Sequence, residues 1–258
     1  MKVEKLVEII EKFSPLEEQE PWDNSGFQLK IGNADINKVL VAMEITDKVI
    51  DEAINKGIAI IVTHHPMIFE SIKQVCDNDV TGNHLVKLIK HNICVYASHT
   101  PFDKCDGGNN DYLANLLHLH EIKIMETDTS GFCRTGLIDG EYSVGEYIQQ
   151  VSDWLKIDKK LMAFCGDLND RVQKVGICTG AGADYIENAI EDGCDLFVTG
   201  DVKYHQAQLA NEKGLNLLDI GHYGSEKIFA KNMAEYLRYN TNIEIVESDI
   251  NLNPFVII

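Results

Sequence analysis

The stretch Ile58-Ala59-Ile60-Ile61-Val62-Thr63-His64-His65-Pro66 decides how this chain is read. An apolar run of strand length ends on two adjacent histidines and a proline. A run this short and this continuously apolar predicts a strand buried on both faces, as in a parallel sheet. Polar groups at the carboxyl end of such a strand lie where open α/β sheets place their ligands. Two further segments repeat the design. Ser98-His99-Thr100-Pro101-Phe102-Asp103 follows Ile93-Cys94-Val95-Tyr96-Ala97, and Gly221-His222-Tyr223-Gly224-Ser225-Glu226 follows Leu215-Asn216-Leu217-Leu218-Asp219-Ile220. Imidazoles and carboxylates in these places point to divalent metal.

Outward from that stretch, strands and helices alternate. Helical spacing covers 3–13, and Lys38–Ile45 reads as a strand. Thr46 or Asp47 caps a helix that Gly57 ends. A helix at 81–91, a strand at 93–97 and a helix near 108–118 follow. Downstream, strands are expected at 172–178, 196–199 and 215–220, with helices at 183–192, 204–213 and 223–238. The halves match in order. Val39–Ala42 compares with Val175–Cys178, Ile61–Thr63 with Phe197–Thr199, and Ser98–Thr100 with Gly221–Tyr223. The pattern predicts an α/β fold of two similar lobes related by pseudo-symmetry, with the metal site in the cleft between them. The first lobe spans 1–125, a linking segment 126–170, and the second lobe 171–258. Within the linking segment a strand is expected at 131–138, an amphipathic helix at 143–155 and a short strand at 161–165.

The 258 residues suffice for one large or two small domains, and 45% hydrophobic with 25% charged is ordinary for a globular chain. A formal net charge of −18 disfavours phosphate backbones, so nucleic acid is not an expected partner. No apolar run is long enough to span a membrane, and no signal-peptide core stands at the start. The seven cysteines show no C-x-x-C spacing. Cys94, Cys165 and Cys178 sit in or beside apolar runs and read as reduced, buried thiols. A cytoplasmic protein is expected.

Neighbouring side chains in an extended segment point to opposite sides, which would let His64 and His65 serve two neighbouring ions, one each. His222 and Glu226, four apart, share a face if a helix begins near 222. One consistent arrangement gives one ion His65 and Asp103, the other His64 and His222, with the Glu226 carboxylate bridging. Few protein ligands per ion leave open positions, the mark of a catalytic site. Two divalent ions with two carboxylates keep a residual positive charge that favours hydroxide or a bound anion such as phosphate. Mixed nitrogen and oxygen donors leave zinc, iron, manganese, nickel and cobalt open. His205, in Gly200-Asp201-Val202-Lys203-Tyr204-His205, is expected near the metals, and Asp201 either caps the following helix or serves the site. His99 is expected to donate a supporting hydrogen bond or to touch substrate. Trp22-Asp23-Asn24-Ser25-Gly26 lines the cleft or forms an N-terminal turn. His84, His91, His118 and His120 lack such settings and read as core or surface histidines.

Taken together, Asp23-Asn24-Ser25-Gly26, His64-His65-Pro66, His99-Thr100-Pro101-Phe102-Asp103, Gly108-Asn109-Asn110-Asp111, Gly193–Asp201, Gly221–Glu226 and Asn253-Pro254-Phe255 closely resemble the GTP cyclohydrolase I type 2 homologs, also called NGG-interacting-factor-three-like proteins. The resemblance runs nearly end to end. It implies a two-lobed α/β fold, a dinuclear metal site on His64, His65, Asp103, His222 and Glu226, and a toroidal homohexamer. The family often carries an aliphatic residue where Ser25 stands. The family name implies opening of the guanine ring of GTP with release of formate.

The expected activity is metal-dependent hydrolysis of a nucleotide or another phosphorylated small molecule, an anionic substrate. In that reading Glu226 holds both ions, and His205 or His99 assists proton transfer. The alternative is a non-enzymatic metal-binding protein, metallochaperone or regulatory partner, suggested by the lack of a G-x-x-x-x-G-K-[ST] phosphate loop.

Overall fold

A computed structural model describes residues 1–256, so residues 257 and 258 of the expected second lobe lie outside the described residues. In chain order the elements begin with α1 (Val3–Phe13), β1 (Gly26–Leu29), β2 (Lys38–Ala42), α2 (Asp47–Lys56), β3 (Ile60–Thr63), α3 (Val80–Lys90), β4 (Cys94–Ala97) and α4 (Thr100–Lys104). They continue with α5 (Asn109–Leu116), β5 (His120–Ile124), β6 (Arg134–Ser143), α6 (Val144–Leu155), β7 (Ala163–Cys165) and β8 (Arg171–Ile177). The last are α7 (Ile186–Glu191), β9 (Leu196–Thr199), α8 (Tyr204–Lys213), β10 (Asn216–Asp219), α9 (His222–Glu226), α10 (Phe229–Asn240) and β11 (Glu244–Glu247).

The chain divides into two units. One comprises Met1–Cys105 with Phe229–Leu252, the other Asp106–Ile228 with the residues from Asn253. This division differs from the one expected at residues 125 and 170. β5, β6 and β7 pair into the same sheet as β8–β10, which places the expected linking segment inside the second unit. α10 and β11 belong to the first unit, where β11 pairs with β2.

The first unit holds a sheet in the order β1-β4-β3-β2-β11. β11, β2, β3 and β4 run parallel, and β1 is antiparallel to β4. Consecutive strand residues enter different cores. Val39 and Val41, Ile60 and Val62, and Cys94 and Tyr96 pack with α1 and α10. Leu40 and Ala42, Ile61 and Val95 pack on the other side with Val49, Ile50 and Ala53 of α2 and with Leu88 of α3. A strand covered on both faces has no polar alternation, which is why 60–63 reads as a continuous apolar run. Each Val, Leu or Ile side chain among them, fully buried, contributes about 1.5–3 kcal/mol.

The second unit holds a sheet in the order β5-β6-β8-β9-β10-β7. Here three strands, β8, β9 and β10, run parallel, and an antiparallel edge strand, β7, closes on the last of them as β1 does on β4. Val175, Ile177, Leu196, Val198 and Leu218 fill one core, and Phe197 and Leu217 the other. The strands that matched in sequence thus hold the same places in the two sheets.

Local signals set the helix ends. Val49 donates its N–H to the Thr46 hydroxyl at the start of α2, and Gly57 closes it with φ +65°. Ser143 and Glu146 form a reciprocal cap on α6. The single helix expected at 223–238 is two, α9 and α10. The break falls where Ile228 packs in the core of the second unit and Phe229 in that of the first. One straight helix cannot direct adjacent residues into two separate cores. Among the described residues no helix is long and apolar enough to cross a membrane.

Candidate functional site

In the first unit the polar groups follow the carboxyl ends of β2, β3 and β4. β3 ends at Thr63, and the chain bends at once. The N–H groups of His64 and His65 both donate to Met43 O, at 3.0 Å each. The Thr63 hydroxyl donates to His65 O at 2.9 Å. Side chains on a backbone folded onto one carbonyl no longer alternate. The expectation that His64 and His65 diverge is therefore corrected: their rings lie 5.1 Å apart, tilted by 34°. His64, His65 and His99 each offer a ring nitrogen, all within 4.8 Å of one another, and could hold a metal ion.

The surroundings prepare these rings. His64 is wholly buried, and its Nδ1 lies 2.9 Å from Ser98 O. A carbonyl only accepts, so Nδ1 carries the proton and Nε2 is the acceptor. That Nε2 is 3.5 Å from Asp103 Oδ1. Asp103 lies on the short helix α4 and is itself buried. The His65 Nδ1 is 3.7 Å from Glu44 Oε2.

His99 is held by the Trp22–Gly26 loop. Its Nδ1 is 2.9 Å from Asp23 Oδ1, and its N–H donates to Ser25 Oγ at 3.1 Å. Asp23 Oδ2 also accepts from Ser25 Oγ and Thr100 Oγ1, each at 2.6 Å, and from the Thr100 N–H at 3.2 Å. Burial pushes the Asp23 carboxyl up, but hydrogen bonds from His99, Ser25 and Thr100 outweigh it and hold the group well below the usual carboxylate range. A carboxylate on Nδ1–H fixes the ring and leaves Nε2 as its acceptor. Ser25 makes two bonds that an aliphatic side chain could not.

In the second unit the site residues lie on α9 and the loops after the parallel strands. His222 Nδ1 is 2.8 Å from Asp201 Oδ2, and its Nε2 is 2.9 Å from Glu226 Oε2. Glu226 is buried, with 3% of its surface exposed. A neutral imidazole has one N–H to give, and two carboxylates face this ring. With the ring proton on Nδ1 and donated to the Asp201 carboxylate, Nε2 and Glu226 Oε2 are two acceptors turned on each other, a conflict that a cation or a second proton removes. An ion about 2.1 Å from each donor fits that separation. Here the donor chemistry suits a divalent metal.

Glycines line this place. Gly180 follows β8, Gly200 follows β9 and Gly221 follows β10. A β-carbon on Gly180 would run into Glu226 Oε1, and the residue has φ +68°. One on Gly200 would meet the backbone of Gly221 and His222 at 2.7 Å. Gly180 donates its N–H to Ser225 Oγ at 2.9 Å, and Ser225 donates to His222 O at 2.9 Å, which fixes α9. Where β3 is followed by His64, the matching strand β9 is followed by the close-packed Gly200, whereas β4 and β10 are each followed by a histidine, His99 and His222.

Other expected residues fall as follows. Asp201 does not cap α8, whose cap is Lys203; it has φ +54° and turns its carboxylate to His222. His205 is exposed on the first turn of α8, its ring 5.2 Å from that of Tyr204. Cys94 and Cys178 are buried thiols, and Cys165 is half-buried. Asn110 accepts from the Thr179 N–H at 2.8 Å, and Asp111 pairs with the buried Arg134 at 2.6 Å, so the Gly108–Asp111 motif ties α5 to β6 and to the end of β8. Sequence reasoning missed Glu44 and the imidazole-holding roles of Asp23 and Asp201. Their signal was position: Glu44 stands two residues after β2, and Asp201 two residues after β9 as His65 does after β3.

The comparisons with known proteins agree with this architecture. The family model described as Duf34/NIF3 (NGG1p interacting factor 3) matches residues 1–254. A Clostridium perfringens protein named GTP cyclohydrolase 1 type 2 homolog is 33% identical over 261 residues, covering 99% of each chain. A Helicobacter pylori protein named GTP cyclohydrolase 1 type 2 is 31% identical, covering 95% of this chain and 96% of its own. A crystal structure of a Bacillus cereus protein related to NIF3 superposes with a TM-score of 0.94 over 100% of this chain and 99% of that one, at 23% identity, which shows a shared fold. With a family model matched along nearly its whole length and relatives a third identical to it, the chain belongs to the Duf34/NIF3 family.

Proposed function

We propose that this protein binds two divalent metal ions through His64, His65, Asp103, His222 and Glu226, and uses them to hydrolyse a nucleotide or another phosphorylated small molecule. The observation that carries the reading is the set of His64: a fully buried imidazole with Nδ1 on a carbonyl and Nε2 directed at Asp103. Burying a polar ring this way is unfavourable unless its remaining nitrogen is used. Relatives named GTP cyclohydrolase 1 type 2 support a nucleotide substrate. A homohexamer, a cytoplasmic location and the absence of nucleic-acid and membrane partners go with the same reading.

Bound divalent ions would supply Lewis-acid polarisation of a substrate oxygen and activation of water. The chain supplies the rest. Asp103 and Glu226 place negative charge against the ions and keep a net positive balance for an anionic substrate. His99 takes up or releases a proton at Nε2 while Asp23 holds its Nδ1–H in place. His205, exposed on α8, is the second proton-transfer group.

The test is elemental analysis of protein purified without chelator, beside Glu226→Ala, followed by turnover assays on GTP and a phosphoester panel. About two transition-metal ions per chain, lost in the variant together with turnover, is the expected result. Metal without turnover on any substrate favours a metal-binding or metallochaperone role. No metal after reconstitution removes both readings.

A further inference from the structure

Beside His99, two large aromatic side chains stand in solvent. Trp22 is 56% exposed and Phe69 52%. Their rings lie 6.1 Å apart, tilted by 46°, and both meet His99 edge-on, at 6.0 Å for Trp22 and 6.4 Å for Phe69. Lone exposed apolar residues are common and need no explanation. This pair differs in two respects. It adjoins an imidazole fixed by a buried carboxylate, and its two loops are strapped together. Asn24 Nδ2 donates to Ile68 O at 2.6 Å, the Ile68 N–H donates to Gln28 Oε1 at 3.0 Å, and Gln28 Nε2 donates to Asn24 O at 2.6 Å. Hydrogen bonds that order two loops hold both rings out in water instead of letting them collapse onto the core.

We propose that Trp22 and Phe69 form an aromatic shelf that stacks a planar heteroaromatic ring, a nucleobase, of the substrate handled at the neighbouring histidines. The inference rests on the hydrolase reading for the word substrate, but not for the binding itself. The tilt between the rings leaves no parallel slot, so the base lies on the face of one ring with the other at its edge. Stacking engages the π face that every base has, so purines other than guanine bind there as well. The shelf recognises the base and the metal ligands recognise the phosphates, which divides the ligand into two separately measurable parts.

The chain has two tryptophans, and the second, Trp154, packs against Tyr147 and His118. In a Trp154→Phe background Trp22 is therefore the single indole reporter. Its fluorescence is titrated with GTP, guanosine, adenosine and inorganic tripolyphosphate, with and without Phe69→Leu. Expected are quenching by GTP and both nucleosides, none by tripolyphosphate in either protein, and affinity for the nucleosides about tenfold weaker in Phe69→Leu. Nucleosides that leave the indole unquenched, or a Phe69→Leu variant with unaltered nucleoside affinity, overturn the shelf. Quenching without hydrolysis of any nucleotide leaves the shelf standing and rejects the hydrolase reading instead.

Discussion

His99 Nδ1 lies 2.9 Å from Asp23 Oδ1, and the other oxygen of that carboxylate accepts from Ser25 and Thr100. The carboxylate side chain exposes no surface. One buried anion thus orders the loop before β1, the turn after β4 and the ring between them. Asp23→Ala leaves those donors without an acceptor and is expected to cost about 2–3 kcal/mol of stability. Urea unfolding of the metal-free protein reads the loss, and a midpoint equal to that of the parent would refute the role.

Gly180→Ala tests the cradle around Glu226. The added methyl meets Glu226 Oε1, and an L residue at φ +68° is strained. The expected outcome is a fold destabilised by about 1–2 kcal/mol and metal affinity reduced at least tenfold, since Glu226 must move. Isothermal titration with zinc on the folded variant measures this. Unchanged affinity would mean that Glu226 does not need its present position.

Arg134 and Asp111 form a buried ion pair at 2.6 Å, with the guanidinium 1% exposed. Removing one partner leaves the other charge without its counterpart, so Arg134→Met is expected to cost about 3–5 kcal/mol. The double variant with Asp111→Leu should regain part of that loss. Stability equal in the single and double variants would show that the pair does not couple.

His84 gives a pH dependence away from the site. It is buried on α3, and burial pushes its pKa below the ordinary 6.5; Lys87 adds to the effect, and Asp47 and Asp79 oppose it. The unfolded chain then takes up the proton at a pH where the folded one does not. The stability contribution is complete above the unfolded-state value and is lost as pH falls from there through the folded-state value. Urea midpoints at several pH values between about 5 and 8 should fall less steeply on acidification in His84→Leu than in the parent. Parallel profiles would exclude this assignment.

What the sequence determined by itself was everything that short-range physics fixes. Continuous apolar runs such as 60–63 and 196–199 announced parallel strands covered on both faces, because no strand with a wet face can be apolar at every position. Thr46 and Gly57 announced the ends of α2, since capping is a contact between near neighbours. The histidines after β3 and β4, and His222 with Glu226, stood out because strand ends are where such sheets place chemistry. Tertiary structure alone decided the rest. The bend that brings His64 and His65 together depends on Met43 O, which belongs to the loop after another strand. The carboxylates that orient His99 and His222 lie 76 and 21 residues away in the chain. The need for glycine at 180 is visible only once Glu226 occupies the space a β-carbon would take. The break between α9 and α10 arises because adjacent residues Ile228 and Phe229 belong to different cores. Periodicity along a chain records which faces are buried; it carries no information on which distant atom will lie against them.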